Sequence, residues 1–206
     1  MLRPALLPAL VAGLVFAAVL APAAVGQTRV EVTDIVDHPF SADFASGGKL
    51  RIHVQSGEVH VIGVDENRVS VELSGKNAPE ARKLKVRLDR KNSEGELHVS
   101  GGPHKELTIT VRIPKNTDLY ARIPYGELRI EDVTGNKDVS LHAGELTLAV
   151  GNPSAYARVD ASVMSGEVDA DAFHETHGGL FRSFHRTGTG QYRLYAHVGA
   201  GQLTLQ

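Results

Sequence analysis

One short phrase returns along this chain and limits what it can become. Glycine, an acid, an aliphatic residue, any residue and a second apolar residue follow one another. The phrase reads GEVHV from Gly57, GELHV from Gly95, GELRI from Gly126, GELTL from Gly144, GEVDA from Gly166 and GQLTL from Gly201. Apolar residues two apart share one face of a strand, so each phrase is a short half-buried strand opened by a glycine. The intervals of 38, 31, 18, 22 and 35 residues are not constant, so no strict repeat code operates. The two shorter intervals suit one coil made of two short strands and their turns. One such unit, residues 126–143, places Leu128 and Ile130 inward, turns at TGN, and places Val139 and Leu141 inward again. A unit of this kind cannot bury its apolar row alone, so several must stack.

The rest of the chain carries the same two-residue period. KLRIHV (49–54), NRVSVEL (67–73), LKVRL (84–88) and ELTITVRI (106–113) alternate apolar with polar residues, and GGP, TGN and GNP punctuate them. TRVEVTDIV (28–36) reads as a first strand and HPFSADFASGG (38–48) as a loop, while only APEARKL (78–84) suits a helical turn. Many short alternating strands between turns predict an all-β protein.

Residues 1–26 read as a secretory signal: Arg3, an uncharged apolar stretch, then Ala24 and Gly26 placed for cleavage before Gln27. Uncleaved, the same stretch would be a membrane anchor, and it is the one segment that would bring the chain to a membrane. Export predicts the periplasm or the cell surface. The chain has 22 Lys and Arg against 24 Asp and Glu, which gives no reason to expect a nucleic-acid partner. It has no cysteine, so disulfides, thiol chemistry and a lipid-modified cysteine are excluded. Nothing in the sequence calls for a cofactor.

Each repeated glycine sits where the chain must turn a corner, which positive φ permits. A phosphate cradle would need a helix after the glycine, and none is predicted. Glu58, Glu96, Glu127, Glu145, Glu167 and finally Gln202 follow the glycines and should face outward, because the next residue is apolar. Five carboxylates on one rim could hold a divalent cation. The irregular spacing argues against a tight ladder, and solvated edge charge is the simpler reading. His174 and His177 in HETH, with His185 nearby, have zinc-ligand chemistry but not the helical order of a zinc motif, and read as surface residues. Asp169 and Asp171 lie two apart, which fits a glycoside-cleaving pair carried on one strand face or simply two outward residues. Residues 180–193 gather Arg182, His185, Arg186 and Arg193 with Phe181, Phe184 and Tyr192, the best candidate for an anion or glycan contact. No G-x-S-x-G elbow supports a hydrolase triad. No residue is assigned a catalytic, cofactor-binding or metal-binding role.

The order of these features resembles the bacterial DUF4097 putative adhesin family. The resemblance lies in Val111-Arg112-Ile113-Pro114 within 107–150, then SGEV (165–168) and the terminal run 188–206, with 52–73 as the opening. It implies a β-solenoid-like domain of stacked strands behind an antiparallel β region. The expected organisation is one domain over 27–206, divided into an amino-terminal β region (27–105) and solenoid-like repeats (106–206). The implied role is a noncatalytic adhesin or scaffold that meets an envelope protein or glycan. The alternatives are a polysaccharide-cleaving enzyme and an envelope-stress sensor.

Overall fold

The computed structural model describes residues 27–103 and 105–206, with the backbone alone for 175 and 177–181. The expected signal segment, residues 1–26, lies outside the described residues. Thirteen strands form one sheet: β1 Thr28–Thr33, β2 Phe40–Asp43, β3 Lys49–Val54, β4 Gly57–Val64, β5 Arg68–Ser74, β6 Lys85–Lys91, β7 Glu94–Ser100, β8 Thr108–Pro114, β9 Asp118–Glu131, β10 Lys137–Leu148, β11 Tyr156–Ala170, β12 Glu175–Thr187 and β13 Tyr192–Leu205. Three short 3-10 turns, Ala78–Lys83, Pro153–Ala155 and Asp171–Phe173, are the helical content of the described residues. The all-β expectation holds, and the helical turn falls on APEARK as read.

The centre of the sheet is a set of parallel tracks. β3 and β4 run as one track, broken only at Gln55 and Ser56, beside β9; then come β10, β13 and β11. Each track bends at a glycine, and the glycines align across the strands: Gly57 with Gly126, Gly126 with Gly144, Gly144 with Gly201, Gly201 with Gly166. All five have positive φ, from 122° to 137°. The buried positions change phase there: Leu119, Ala121 and Ile123 are buried before Gly126, Leu128 and Ile130 after it. A one-residue phase change turns the inward face around a corner, so each track has two arms. The apolar side chains of both arms belong to one buried cluster. β6 and β7 extend the first arms at the β3 side, β8 and β5 extend the second arms, and β1, β2 and β12 lie at the ends.

The close approach at the corner also needs glycine. A Cβ on Gly126 would meet the carbonyl oxygen of Gly57, one on Gly144 that of Gly126, one on Gly201 that of Gly144, and one on Gly166 that of Gly201. Gly95 differs. It lies in β7 in register with Leu50, not with Gly57, and the burial alternation of β7 runs through it unbroken. The GELHV phrase there is an ordinary strand, so Gly95 and Glu96 leave the set of corner units.

The sheet is open and mixed in orientation, which corrects the simple succession of stacked coils. Lys137 pairs with Leu119, so the 18-residue interval from Gly126 to Gly144 does join neighbours. The next interval does not: β13, last in sequence, lies between β10 and β11, and β12 runs antiparallel to β11. The loop after β10 crosses the end of β13, where the Val150 N–H donates to Gln206 O (2.7 Å). Phe40–Asp43 is also a strand rather than loop, paired with β5 and burying Phe40 and Ala42. Its alternation is only four residues long, too short to stand out.

Candidate binding face

The two outer faces of the sheet are set by counting back and forward from the aligned glycines. Four residues before them stand His53, Arg122, Ser140, His197 and Ser162, side by side across β3, β9, β10, β13 and β11. Six residues before stand Arg51, Tyr120, Asp138, Tyr195 and Asp160. β7 adds His98 and Glu96 to these two rows, and β6 adds Arg87 and Asp89. Strands about 4.8 Å apart bring such side chains into contact.

The contacts are those of a dense polar face. The His53 and His98 rings stack with centroids 5.0 Å apart, and both Nε2 atoms approach Glu96 Oε1, at 3.4 and 3.0 Å. Burial first, then the charge of His98, lowers the His53 pKa. The Arg122 guanidinium lies 3.8 Å over the Tyr120 ring and donates to Asp138 Oδ1 (2.6 Å). Arg158 Nε donates to Asp160 Oδ2 (2.5 Å), which holds that carboxyl below its ordinary range, with His185 Nδ1 a second partner at 2.5 Å from Oδ1. Ser162 Oγ and His197 Nδ1 are 2.9 Å apart. Tyr195 keeps 49% of its surface exposed.

Two open clefts lie on this face. One, of about 590 Å³, is lined by His53, Arg87, His98, Arg122 and His142 with Gln55 and Ser140. The other, of about 690 Å³, lies further from the corner among Arg51, Asp118, Tyr120, Asn136, Gln191 and Tyr195. Under the second lies Lys137, a core position whose neighbours in the row are Leu119 and Leu194. Lys137 is 1% exposed; its Nζ donates to Tyr156 Oη (2.6 Å), which donates to Val150 O (3.2 Å). Burial pushes Lys137 down to about 8 and Tyr156 up to about 12.

The glutamates do form a ladder, contrary to what their spacing suggested: Glu58, Glu127, Glu145, Gln202 and Glu167 stand in register. Irregular intervals hid it because loops of different length return the chain to the same register. Glu96 stands apart among the histidines. Among the described residues no group of three or more His, Asp or Glu side chains is placed to hold a metal ion. Thr176 Oγ1 donates to Asp169 Oδ1 (3.1 Å), while Asp171 has left the strand for the 3-10 turn, so the two carboxylates do not share a strand face. His174 ends that turn in the left-handed conformation, and the side chain of His177 lies outside the described residues. Residues 180–187 belong to strand β12. Phe184 is buried and stacks on Phe173 (5.0 Å), Arg186 covers Phe173 (4.9 Å), and Tyr192 packs on Tyr156 (6.4 Å). Arg182 is exposed, and Arg193 reaches the second cleft.

Fold and face together define an all-β protein with a broad polar surface on parallel strands. No protein-family model and no curated protein sequence matches the chain. Among solved structures it is similar to a putative cell adhesion protein from Clostridium sporogenes, at 13% identity over 87% of this chain and 99% of that one, with a TM-score of 0.49. It is also similar to a putative adhesin from Bacteroides fragilis, at 8% identity over 88% and 99% of the two chains, with a TM-score of 0.25. With identities and TM-scores this low, any function has to be read from the chain's own faces. No helix among the described residues is long and apolar enough to cross a membrane.

Proposed function

We propose that this is an exported, noncatalytic protein of the cell envelope, an adhesin or scaffold that meets a glycan or a protein through the outer face of its first arms. One observation carries the reading: at fixed offsets before the corner glycines the side chains differ from strand to strand, as Arg51, Tyr120, Asp138, Tyr195 and Asp160 do. A face of mixed charge and rings, held on rigid strands, suits recognition. Its charged groups are spent on one another rather than gathered around a reacting atom. The glycine-aligned tracks are taken as a solenoid-like stack and the chain as a relative of the DUF4097 proteins, with residues 1–26 as the export signal. The protein needs no cofactor in this role.

The test is photocrosslinking in the native envelope, with a photoreactive phenylalanine in place of Tyr195 or of Thr147 on the opposite face. A discrete adduct from position 195 and none from 147 is expected. No adduct at either position, or new reducing ends when the protein meets polysaccharide, overturns the reading.

A further inference from the structure

The sheet ends differently on its two sides. Away from β12 each arm has its own short edge strand, β1 for the first arms and β2 for the second. On the other side β12 alone borders both arms. Its residues 182–187 run beside the first arm of β11 and 175–178 beside the second, with Gly179 opposite the corner Gly166. Among the described residues β12 pairs with no strand but β11. Alternate N–H and C=O groups along its other side therefore point away from the sheet, a template for one more strand.

Only a strand that turns the same corner can follow β12 through both arms. Side-chain phase narrows the choice further. Residues opposite one another share a face, so Arg182, Phe184 and Arg186 stand on the inward phase, opposite the buried Val163, Ala161 and Val159. Arg182 and Arg186 are nevertheless exposed, because the core ends there. Inward cations oppose an added strand that brings only apolar residues to that face. β1 would bring Val30 and Val32, and β2 would bring Phe40 and Ala42, with no acid beside them on that phase. A head-to-tail row of copies is therefore disfavoured.

β12 of a second copy meets both conditions. Glu175 lies opposite the buried Ala170, so its position belongs to the inward phase of the second arm. Two β12 strands laid antiparallel, with Gly178 of each opposite Gly179 of the other, bring their corners together. Three residues further out, Glu175 of one copy falls opposite Arg182 of the other, on the inward phase of both. Seven residues out, the exposed Asp171 falls on the side of Arg186. The register that matches the corners also matches the charges.

We propose that two copies of this chain pair edge to edge through β12, antiparallel about a twofold axis at the corner, with Glu175 of each against Arg182 of the other. A contact of this kind closes on itself and leaves no β12 edge open. It continues the corner from one copy into the next and sets their two first-arm faces on opposite flanks. The assembly is then bivalent, whatever that face binds.

Sedimentation velocity on the full chain tests the pairing. A dimer that dissociates on dilution is expected. Glu175→Arg and Arg182→Glu, each alone, should weaken it at least about tenfold, because like charges then stand opposite one another on both sides of the axis. The two reversals together should restore it, a result that a folding defect cannot mimic. In the same register Thr176 lies opposite Phe181 of the other copy, and the chain has no cysteine of its own. Thr176→Cys combined with Phe181→Cys should therefore give a disulfide-linked dimer under mild oxidation, while either cysteine alone should not. The proposal is overturned by a monomer at about 100 μM. It is overturned equally by assembly that keeps growing with concentration, by paired reversals that fail to restore the dimer, or by a dimer that the two cysteines do not link.

Discussion

The same five tracks build both outer faces, yet the two faces are unlike. Ahead of the corner glycines the outward residues change at every strand, from Arg51 through Tyr120 and Asp138 to Tyr195 and Asp160. Beyond the glycines the first outward row nearly repeats, as Glu58, Glu127, Glu145, Gln202 and Glu167, before His60, Arg129, Thr147, Thr204 and Asp169 vary again. Topology cannot explain the contrast, because backbone and register are shared. A repeated outer face asks only that each residue be polar and tolerate its neighbours. A varied one assigns each position a separate contact. Repetition in this chain therefore marks scaffold, and the informative residues are those that the repeat does not include.

The boundary between the two faces should be the most sensitive place in the molecule. Gly144→Ala puts a Cβ against the Gly126 carbonyl oxygen on a backbone at φ +135°. Strain and clash together should cost roughly 4 kcal/mol or more. Thermal unfolding should show a fall of at least about 10 °C, or no folded protein. Gly57→Ala is the internal control: it has the same kind of φ, but the nearest atom to its Cβ is Leu107 O at 4.0 Å, so its loss should be clearly smaller. Gly95→Ala meets only side-chain atoms, Phe44 Cε2 at 2.7 Å and Leu50 Cδ1 at 3.1 Å, and should cost about 1–3 kcal/mol by overpacking. Equal effects at positions 95 and 144 would erase the distinction between strand and corner.

Much of this architecture was legible. Period-two alternation located the principal strands and nearly all their inward residues, because burial on one side of a pleat leaves no other pattern. The corner glycines were legible for the same reason that they cannot be replaced. What stayed hidden was order: β13 enters between β10 and β11, and nothing in its sequence places it beside β11, since GQLTL matches GELTL of β10 but shares only its glycine with GEVDA of β11. The varied face was hidden for a related cause. His53, Arg122 and His197 come into one row from positions 69 to 144 residues apart, yet each stands four residues before a corner glycine. Reading that fixed offset would have assembled the row. Lys137 had a weaker signal, a lysine where the inward phase of β10 begins, and the aliphatic residues on either side outvoted it.

Lys137 breaks the uniformity of the inward row, and pH should expose it. Its folded value of about 8 lies below the ordinary lysine value of 10.5, so from pH 8 upward the unfolded chain holds the proton more tightly. Stability then rises with pH through that window. Tyr156, pushed up to about 12, acts in the opposite sense above pH 10, where the folded state keeps its proton longer and stability falls. The pair predicts a stability maximum near pH 10, with a Lys137 contribution on the order of 2–3 kcal/mol. Lys137→Met should remove the rising limb and raise the melting temperature at pH 7 by roughly 5 °C, since the Tyr156 hydroxyl keeps its bond to Val150 O. An unchanged slope between pH 8 and 10 would mean that the ammonium is not desolvated as its burial implies.

The smallest effect should come from the most conspicuous residue of the repeat. Glu145 has Glu127 on one side and Gln202 on the other, all facing solvent. Replacing it by Gln removes one like-charge neighbour and adds an amide beside another, while the inward Leu146 and the corner Gly144 are untouched. Exposed pairs at this spacing contribute a few tenths of a kcal/mol. Glu145→Gln should therefore raise the melting temperature by about 1 °C at low salt and by nothing measurable at high salt, where screening removes the repulsion. Calcium should not shift either protein. A marked loss of stability, or a calcium-dependent gain present with Glu145 and absent with Gln, would make the glutamate row a cation site, and the repeated face could no longer be regarded as scaffold alone.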